Sequence, residues 1–125
     1  MTGRSTSGSP FEERFGFCRA IRTGDRVLLA GTAPVWPDGH VDPDAGVQAR
    51  RCFEIIEKAL VELGGRLTDV VRTRMFIVDA QDASRVGAVH GEIFEGHAPV
   101  ATMVVVAQLL DPAWRVEIEA EAVVG

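Results

Sequence analysis

The sequence predicts a two-layer α+β domain in which two helices cover one face of a single, mostly antiparallel β-sheet. Three observations support this fold. The 125 residues are enough for one domain of ordinary size. Apolar residues make up 46% of the chain and charged residues 25%, as in a typical globular protein. The hydrophobic period alternates between strand and helix type in the order β-β-α-β-α-β-β.

The chain is predicted to divide into a flexible N-terminal tail, residues 1–14, and a single domain, residues 15–125. The first ten residues, MTGRSTSGSP, have no apolar periodicity and no hydrophobic core of a signal peptide. The longest apolar stretch, around Met103–Ala107, is far below the roughly 18 residues that a membrane span needs. We therefore expect a soluble, cytoplasmic protein that has no membrane partner.

Two short strands and a loop are predicted to open the domain. A β-like segment from Phe15 to Ala20 precedes the turn Arg22–Asp25, and Val27–Ala30 is predicted as the second strand of this hairpin. Two prolines and an Asp-Gly pair within Pro34–Gly39 indicate a loop. The first helix is therefore expected after this loop.

The first helix is predicted to begin at Asp42-Pro43-Asp44 and to run to about Leu63. This start offers an N-cap acceptor, a proline at the first helical position and an acid near the positive end of the helix dipole, and Gly64-Gly65 supplies the stop. Apolar residues recur every three or four positions and predict the face turned to the sheet: Ala49, Cys52, Phe53, Ile56, Ala59, Leu60 and Leu63.

The second half of the domain is predicted as strand, helix, strand, strand. Val70–Val78 alternates as a strand, and a weaker helix follows from Asp79 or Asp82 to Gly96. Its apolar positions are Val86, Val89, Ile93 and Phe94. Two further strands are predicted at Thr102–Leu109 and Trp114–Val124. In the last strand one face carries Val116, Ile118, Ala120 and Ala122, and the other carries Glu117, Glu119 and Glu121.

Composition excludes several classes of function. Thirteen basic and eighteen acidic residues give a net charge of −5, which argues against nucleic acid as a partner because a phosphate backbone requires clustered Lys and Arg. The two cysteines, Cys18 and Cys52, are too few for a disulfide framework, and the three histidines have no metal-ligand spacing. Cys52 belongs to the core stripe of the first helix, where a thiol is expected to be inert. No metal site is predicted.

The second face of the sheet must meet either water or another molecule. Arg72 and Arg74 alternate into this face, as do the three glutamates of the last strand. Such residues can form a solvated surface with exposed ion pairs. Alternatively, they can line a half-buried cleft that another copy of the chain completes.

Four segments, in this order, resemble the Rid or YjgF-type proteins, a RidA-like family also called reactive intermediate deaminases or L-PSP endoribonucleases. They are Val27–Gly31 followed by Thr32-Ala33-Pro34, the helix from Gln48 with its Gly64-Gly65 stop, Asp69–Phe76, and Val116–Ala120. The resemblance covers roughly Phe15 to Val124. It implies a chorismate mutase-like fold and a homotrimer with an inner β-barrel. It also implies a cleft for a small-molecule metabolite at each subunit interface, where imines or enamines are hydrolysed without metal or cofactor.

The resemblance also implies roles for individual residues. Phe17 stands where a cleft tyrosine is typical, Gly31 where a glycine N–H faces the ligand, and Glu117 where a glutamate handles water. Deaminating members read Pro-Ala-Arg-Ser or Pro-Ala-Arg-Thr, whereas this chain reads Pro99-Val100-Ala101-Thr102. Ala101 therefore replaces the arginine that holds the substrate carboxylate, while the neighbouring Thr102 and the N–H of Met103 are expected to line the cleft.

Other side chains are candidates to supply the missing positive charge or an acid–base group in the cleft. Arg74 and Arg19 can replace the missing cation in the cleft, or can pair structurally with Glu119, Glu121 and Glu117. We take Arg74 with Glu117 as the polar end of the cleft. His90, at the border of the second helix's apolar stripe, is either an acid–base group near neutral pH or a packing residue.

Two functions of different class follow from this sequence. One is a cofactor-free hydrolase of the Rid type that acts on a metabolite with a C=N or amide bond and is not a typical 2-imino acid deaminase. The other is a non-catalytic trimeric protein that binds or senses a metabolite. Retention of Glu117 favours the first function, and Ala101 favours the second.

Overall fold

The computed structural model describes residues 2–125 and contains a six-stranded sheet with three α-helices. The strands are β1 Thr2–Ser5, β2 Ala20–Thr23, β3 Arg26–Thr32, β4 Val70–Ile77, β5 Val100–Val105 and β6 Val116–Val123. The helices are α1 Pro10–Phe15, α2 Ala45–Glu62 and α3 Ala83–Ile93. The strand order is β1-β2-β3-β6-β4-β5. Every neighbouring pair is antiparallel except β4 with β5, which is parallel.

The core lies between α2, α3 and one face of this sheet. Cys52, Phe53, Ile56 and Leu60 of α2 are fully buried, as their three- and four-residue spacing predicts. The alternation in β6 is also confirmed, since Val116, Ile118, Ala120 and Ala122 all join the same buried cluster. The predicted α+β class with two core helices on one sheet face is therefore confirmed.

The sequence predicts residues 1–14 as a tail, but they contain β1 and all of α1 except its last residue. β1 extends the sheet by pairing with β2, and α1 follows it. Helix-start signals are present at this point in the sequence: the side chain of Ser9 accepts from the N–H of Phe11, and Pro10 occupies the first turn. β1 has four residues and α1 has six, so both elements are too short for apolar periodicity to predict them.

The strand predicted from Phe15 to Ala20 is wrong. Phe15 is the last residue of α1, and Gly16 ends that helix in the left-handed region with φ of 74°. The next strand, β2, begins only at Ala20, so Phe17 and Arg19 lie on the connection between helix and strand. This connection positions two of the candidate site residues.

Smaller differences concern the ends of elements. Asp44, and not Asp42, is the N-cap of α2, because its carboxylate accepts from the N–H of Val47 at 3.0 Å. β5 spans Val100–Val105 and so ends earlier than the predicted Leu109. Among residues 2–125, no helix combines the length and the apolar character needed to cross a membrane.

Candidate functional site

The carboxylate of Glu117 lies against the backbone of Gly31, where β3 and β6 meet. The register between these strands shifts between Leu29 and Thr32, which is the sign of a bulge next to Gly31. A Cβ built on Gly31 would collide with Oε2 of Glu117 and approach its Cδ to 3.3 Å. Only glycine therefore allows the carboxylate to occupy this position.

Arg19 is the cation next to this carboxylate. Although it is an arginine, only 7% of its surface is exposed. Its Nη1 donates to Oγ1 of Thr32 at 3.3 Å, and its Nε lies 3.8 Å from Oε2 of Glu12. The guanidinium carbon is 5.7 Å from the centre of the Phe17 ring, which is within the range of a cation–π contact. Glu117, Gly31, Arg19 and Phe17 define what we call the Glu117 site.

Burial sets the electrostatics of the Glu117 site. It raises the pKa of Glu117, and the charge of Glu119 on the same strand raises that pKa further, while the positive charge of Arg19 partly opposes both effects. Burial also lowers the pKa of Arg19, against the attraction of Glu12 and Glu117, although an arginine stays charged at any physiological pH. Glu117 therefore holds a proton at a higher pH than an ordinary glutamate does.

Arg74 is not the partner of Glu117. Its Nη1 donates to Oε1 of Glu119 at 2.9 Å and lies 3.9 Å from Oε1 of Glu121. The antiparallel register of β4 and β6 places Arg74 opposite Glu119, whereas Phe76 is opposite Glu117. The predicted Arg74–Glu117 pair is therefore wrong by one step of two residues along the strand. Arg74 belongs to the structural pairs that the sequence offered as the alternative.

His90 lies on the helix side of the sheet, apart from the Glu117 site. Its Nε2 is 2.8 Å from Oγ1 of Thr73, a fully buried residue of β4. Its ring packs on Phe94 and Phe53, with ring centres 4.7 and 5.8 Å apart. Burial lowers the pKa of His90. Thr73 and Glu117 belong to opposite faces of the sheet, so the catalytic role predicted for His90 does not fit this geometry.

Ala101, Thr102 and Met103 lie on the edge strand β5. Ala101 and Thr102 are exposed, and Met103 packs against the core. Because β4 separates β5 from β6 in the sheet, these residues are not next to Glu117 within one protomer. Cys52 is buried, donates its thiol to the carbonyl of Thr32 at 3.2 Å, and has a pKa raised strongly by burial. This agrees with the expected inert thiol.

Sequence reasoning missed Glu12 and Thr32, the two residues that hold Arg19 in place. Glu12 is buried and accepts from the backbone N–H of Ser7 at 3.2 Å, as well as from its hydroxyl. A signal for Glu12 was available, since an acid two residues after Pro10 is typical of a first helical turn. No comparable signal marks Thr32, which depends on the bulge in β3.

Comparison with known proteins places the chain in a family. The model described as "Endoribonuclease L-PSP" matches residues 9–124, and the match begins before the domain start predicted at residue 15. The chain belongs to this family, the YjgF/RidA family.

Relatives and solved structures agree with this assignment. The chain is 39% identical to an uncharacterized protein of Streptomyces coelicolor, over 98% of this chain and 92% of that protein. It is 33% identical to the 2-iminobutanoate/2-iminopropanoate deaminase of Escherichia coli, over 86% of each. Its fold matches Rv2704 of Mycobacterium tuberculosis, a YjgF/YER057c/UK114 family member, with a TM-score of 0.91 and 40% identity over 99% of this chain and all of that one.

Proposed function

We propose that this chain forms a homotrimer that acts in the cytoplasm as a cofactor-free hydrolase of small metabolites with a C=N bond. The Glu117 site supplies the acid–base group. One observation carries the proposal: a glutamate is held against Gly31, partly buried, with its pKa raised and a cation beside it. A raised pKa brings a carboxyl group towards the neutral pH at which acid–base catalysis is most efficient.

Exposed apolar side chains on β5 and the open sheet face support the homotrimer. Val100 is 60% exposed, and Leu28 and Val104 are also exposed. Leu28 on β3 lies opposite Glu121, and Val100 on β5 lies opposite Arg72, so these side chains share the open sheet face with the charged residues of β4 and β6. Further copies of the chain would bury these side chains and bring β5 of one protomer towards the Glu117 site of the next.

The reaction that we propose needs only Glu117 and water. The carboxylate takes a proton from water while the water oxygen bonds to the imine carbon, and the imine nitrogen receives that proton. Glu117 then transfers the hydroxyl proton of the resulting carbinolamine to its nitrogen as the C–N bond breaks, which yields a carbonyl compound and ammonia. Glu117 ends in the protonation state in which it began.

The alanine at position 101 limits the class of imines that we propose as substrates. By resemblance it stands where deaminating relatives hold the substrate carboxylate with an arginine, and a methyl group forms no such pair. Arg19 is the cation whose charge acts on Glu117, but it already contacts Thr32 and Glu12. A lost charge-assisted hydrogen bond is commonly worth about 1.5–3 kcal/mol, so we propose imines without a carboxylate as the preferred substrates.

The test compares ammonia release from two groups of imines. One is 2-iminopropanoate, and the other is a set of carboxylate-free imines that an amine oxidase generates from small primary amines. We expect acceleration over spontaneous hydrolysis mainly in the second group. Glu117→Gln should lower kcat/KM by roughly 10²–10⁴-fold, the usual contribution of a general acid–base group.

Glu121→Gln is the matched control. It removes a carboxylate from the same face of the same strand but not from Gly31, so its turnover should remain close to that of the wild type. Sedimentation of each variant checks that the oligomer is intact. Binding of an imine analogue without turnover of any imine would contradict the hydrolase and favour the metabolite-binding alternative, and a monomeric wild type would contradict the interface cleft.

A further inference from the structure

A second cleft lies on one flank of α2 and does not include Glu117 or Gly31. Its walls are the segment 5–11, parts of the loop 33–41, the flank of α2 from Arg51 to Glu62, and Trp114. Its volume is about 550 Å³, within the range of roughly 300–1,000 Å³ that is usual for small-molecule sites. We call it the N-terminal cleft, because the segment between β1 and α1 forms one of its walls.

Two residues that line this cleft each carry a buried N–H donor that makes no hydrogen bond within the described part of the chain, although Nε of Arg19 lies 3.8 Å from the carboxylate of Glu12. Nε1 of Trp114 and Nε of Arg19 are both buried, and neither makes a hydrogen bond within residues 2–125. The two residues are only 5% and 7% exposed, and both line the N-terminal cleft. Buried donors without partners are rare in folded proteins, because leaving such a group unsatisfied costs free energy. An oxygen atom of a bound molecule would satisfy either donor.

The remaining walls suit an apolar body. Phe11 packs edge-on against Trp114 with ring centres 5.9 Å apart, and the side chains of Trp36 and Ile55 also line the cleft. Apolar and aromatic walls with a few convergent polar groups are the usual composition of a site for a small organic molecule.

Three charged residues of the walls, Arg51, Glu54 and Glu62, already make polar contacts within the chain. Nε of Arg51 donates to the carbonyl of Val35 at 3.0 Å, and its Nη1 pairs with Glu54 at 3.3 Å. Glu62 accepts from the hydroxyl of Ser5 at 2.5 Å. Because the walls carry three basic and three acidic residues, we expect the hydrogen-bond acceptor of the ligand, and not its net charge, to determine binding.

We propose that the N-terminal cleft binds a small amphipathic molecule with an aryl or alkyl body and an oxygen that accepts a hydrogen bond from Trp114 Nε1, Arg19 Nε or both. Glu117 takes no part in this binding. The cleft is therefore a ligand site separate from the proposed hydrolytic centre, although Arg19 contributes to both.

Nuclear magnetic resonance of the ¹⁵N-labelled full chain tests this proposal. The protein contains two tryptophans, so its spectrum has two indole N–H signals, and Trp114→Phe identifies one of them by its loss. Three probes of similar size are titrated: phenylacetate, phenylacetamide and ethylbenzene. We expect the Trp114 signal to move saturably with phenylacetate or phenylacetamide, and not with ethylbenzene, which has no acceptor. A Trp114 signal that no probe moves, or that ethylbenzene moves equally, overturns the proposal.

Variants locate the hydrogen bond. Trp114→Phe keeps an aromatic ring but removes the donor, and should weaken binding of the oxygen-bearing probe about three- to tenfold, as the loss of one hydrogen bond predicts. Trp36→Phe makes the same change on another wall of the cleft and should bind nearly as the wild type does. Equal binding by Trp114→Phe and wild type would contradict the assignment.

If Trp114→Phe fails to fold, the loss of one signal in Trp36→Phe assigns both indole signals. The wild-type titration then still shows whether the probes move the Trp114 signal. Imine turnover by Trp114→Phe should be unchanged, so failure here is separable from failure of the proposed hydrolase.

Discussion

Side chains alternate between the two faces of β6, so that one face is apolar and the other is acidic. Towards the helices, Val116, Ile118 and Ala120 are buried in a core that this chain completes by itself. Towards the open face, the strand carries three glutamates, of which Glu119 and Glu121 pair with arginines that are partly exposed. Glu117 alone among the three lies against a glycine backbone. One strand therefore provides both core residues and a carboxylate with a raised pKa, depending on what covers each face.

Removing a large side chain from the helix face should have the largest effect on stability. Ile118 is fully buried, so Ile118→Ala should lower the free energy of unfolding by about 2–5 kcal/mol through lost burial and the cavity left behind. Urea unfolding measures this change. Val123→Ala, near the exposed end of the same strand, is the control and should stay within about 0.5 kcal/mol of the wild type, as is usual for surface positions. Equal losses in both variants would contradict the division of β6 into two faces.

The sequence predicted the helix-facing side of the sheet correctly and the open face less well. The apolar stripes of α2 and β6 were predicted correctly, because burial of a helix or strand face imposes a period that the sequence displays. The placement of Arg74 beside Glu117 was wrong, although Glu119 was among the alternative partners, because strand register depends on bulges and turns that alternation does not reveal. The surroundings of Arg19 were missed for a related reason. They depend on the short helix α1 and on the connection between α1 and β2. Neither segment has an apolar period.

The pH dependence of stability should reveal the buried carboxyl group of Glu117. Its pKa in the folded protein is raised above the ordinary value of 4.5, so the folded state retains this proton to a higher pH than the unfolded state does. The contribution to stability is therefore complete below about pH 4.5 and is lost as the pH rises through the folded pKa. We expect Glu117→Gln, which cannot titrate, to become more stable relative to the wild type as the pH rises across this window.

Urea unfolding at a series of pH values measures this difference, with Glu121→Gln as the control for removing a carboxylate from the same face. A pH dependence of the same size in the two variants would contradict a special role for burial against Gly31. Gly31→Ala provides an independent check. Its Cβ would displace the carboxylate, so we expect it to lower turnover without removing the titratable group.

His90 provides the complementary prediction for the helix face, with the smallest effect on activity. Burial lowers its pKa below the ordinary value of 6.5, so the unfolded state binds this proton first as the pH falls. Its contribution to stability is present above about pH 6.5 and is lost as the pH falls through the folded pKa, the reverse of Glu117. His90→Gln should therefore flatten the pH profile of unfolding below pH 6.5.

Because His90 contacts Thr73 on the face opposite Glu117, imine turnover by folded His90→Gln should remain within about twofold of wild type, which is about 0.4 kcal/mol in activation free energy. A much larger loss of turnover, with folding intact, would return His90 to the catalytic machinery and remove the functional distinction between the two faces of the sheet.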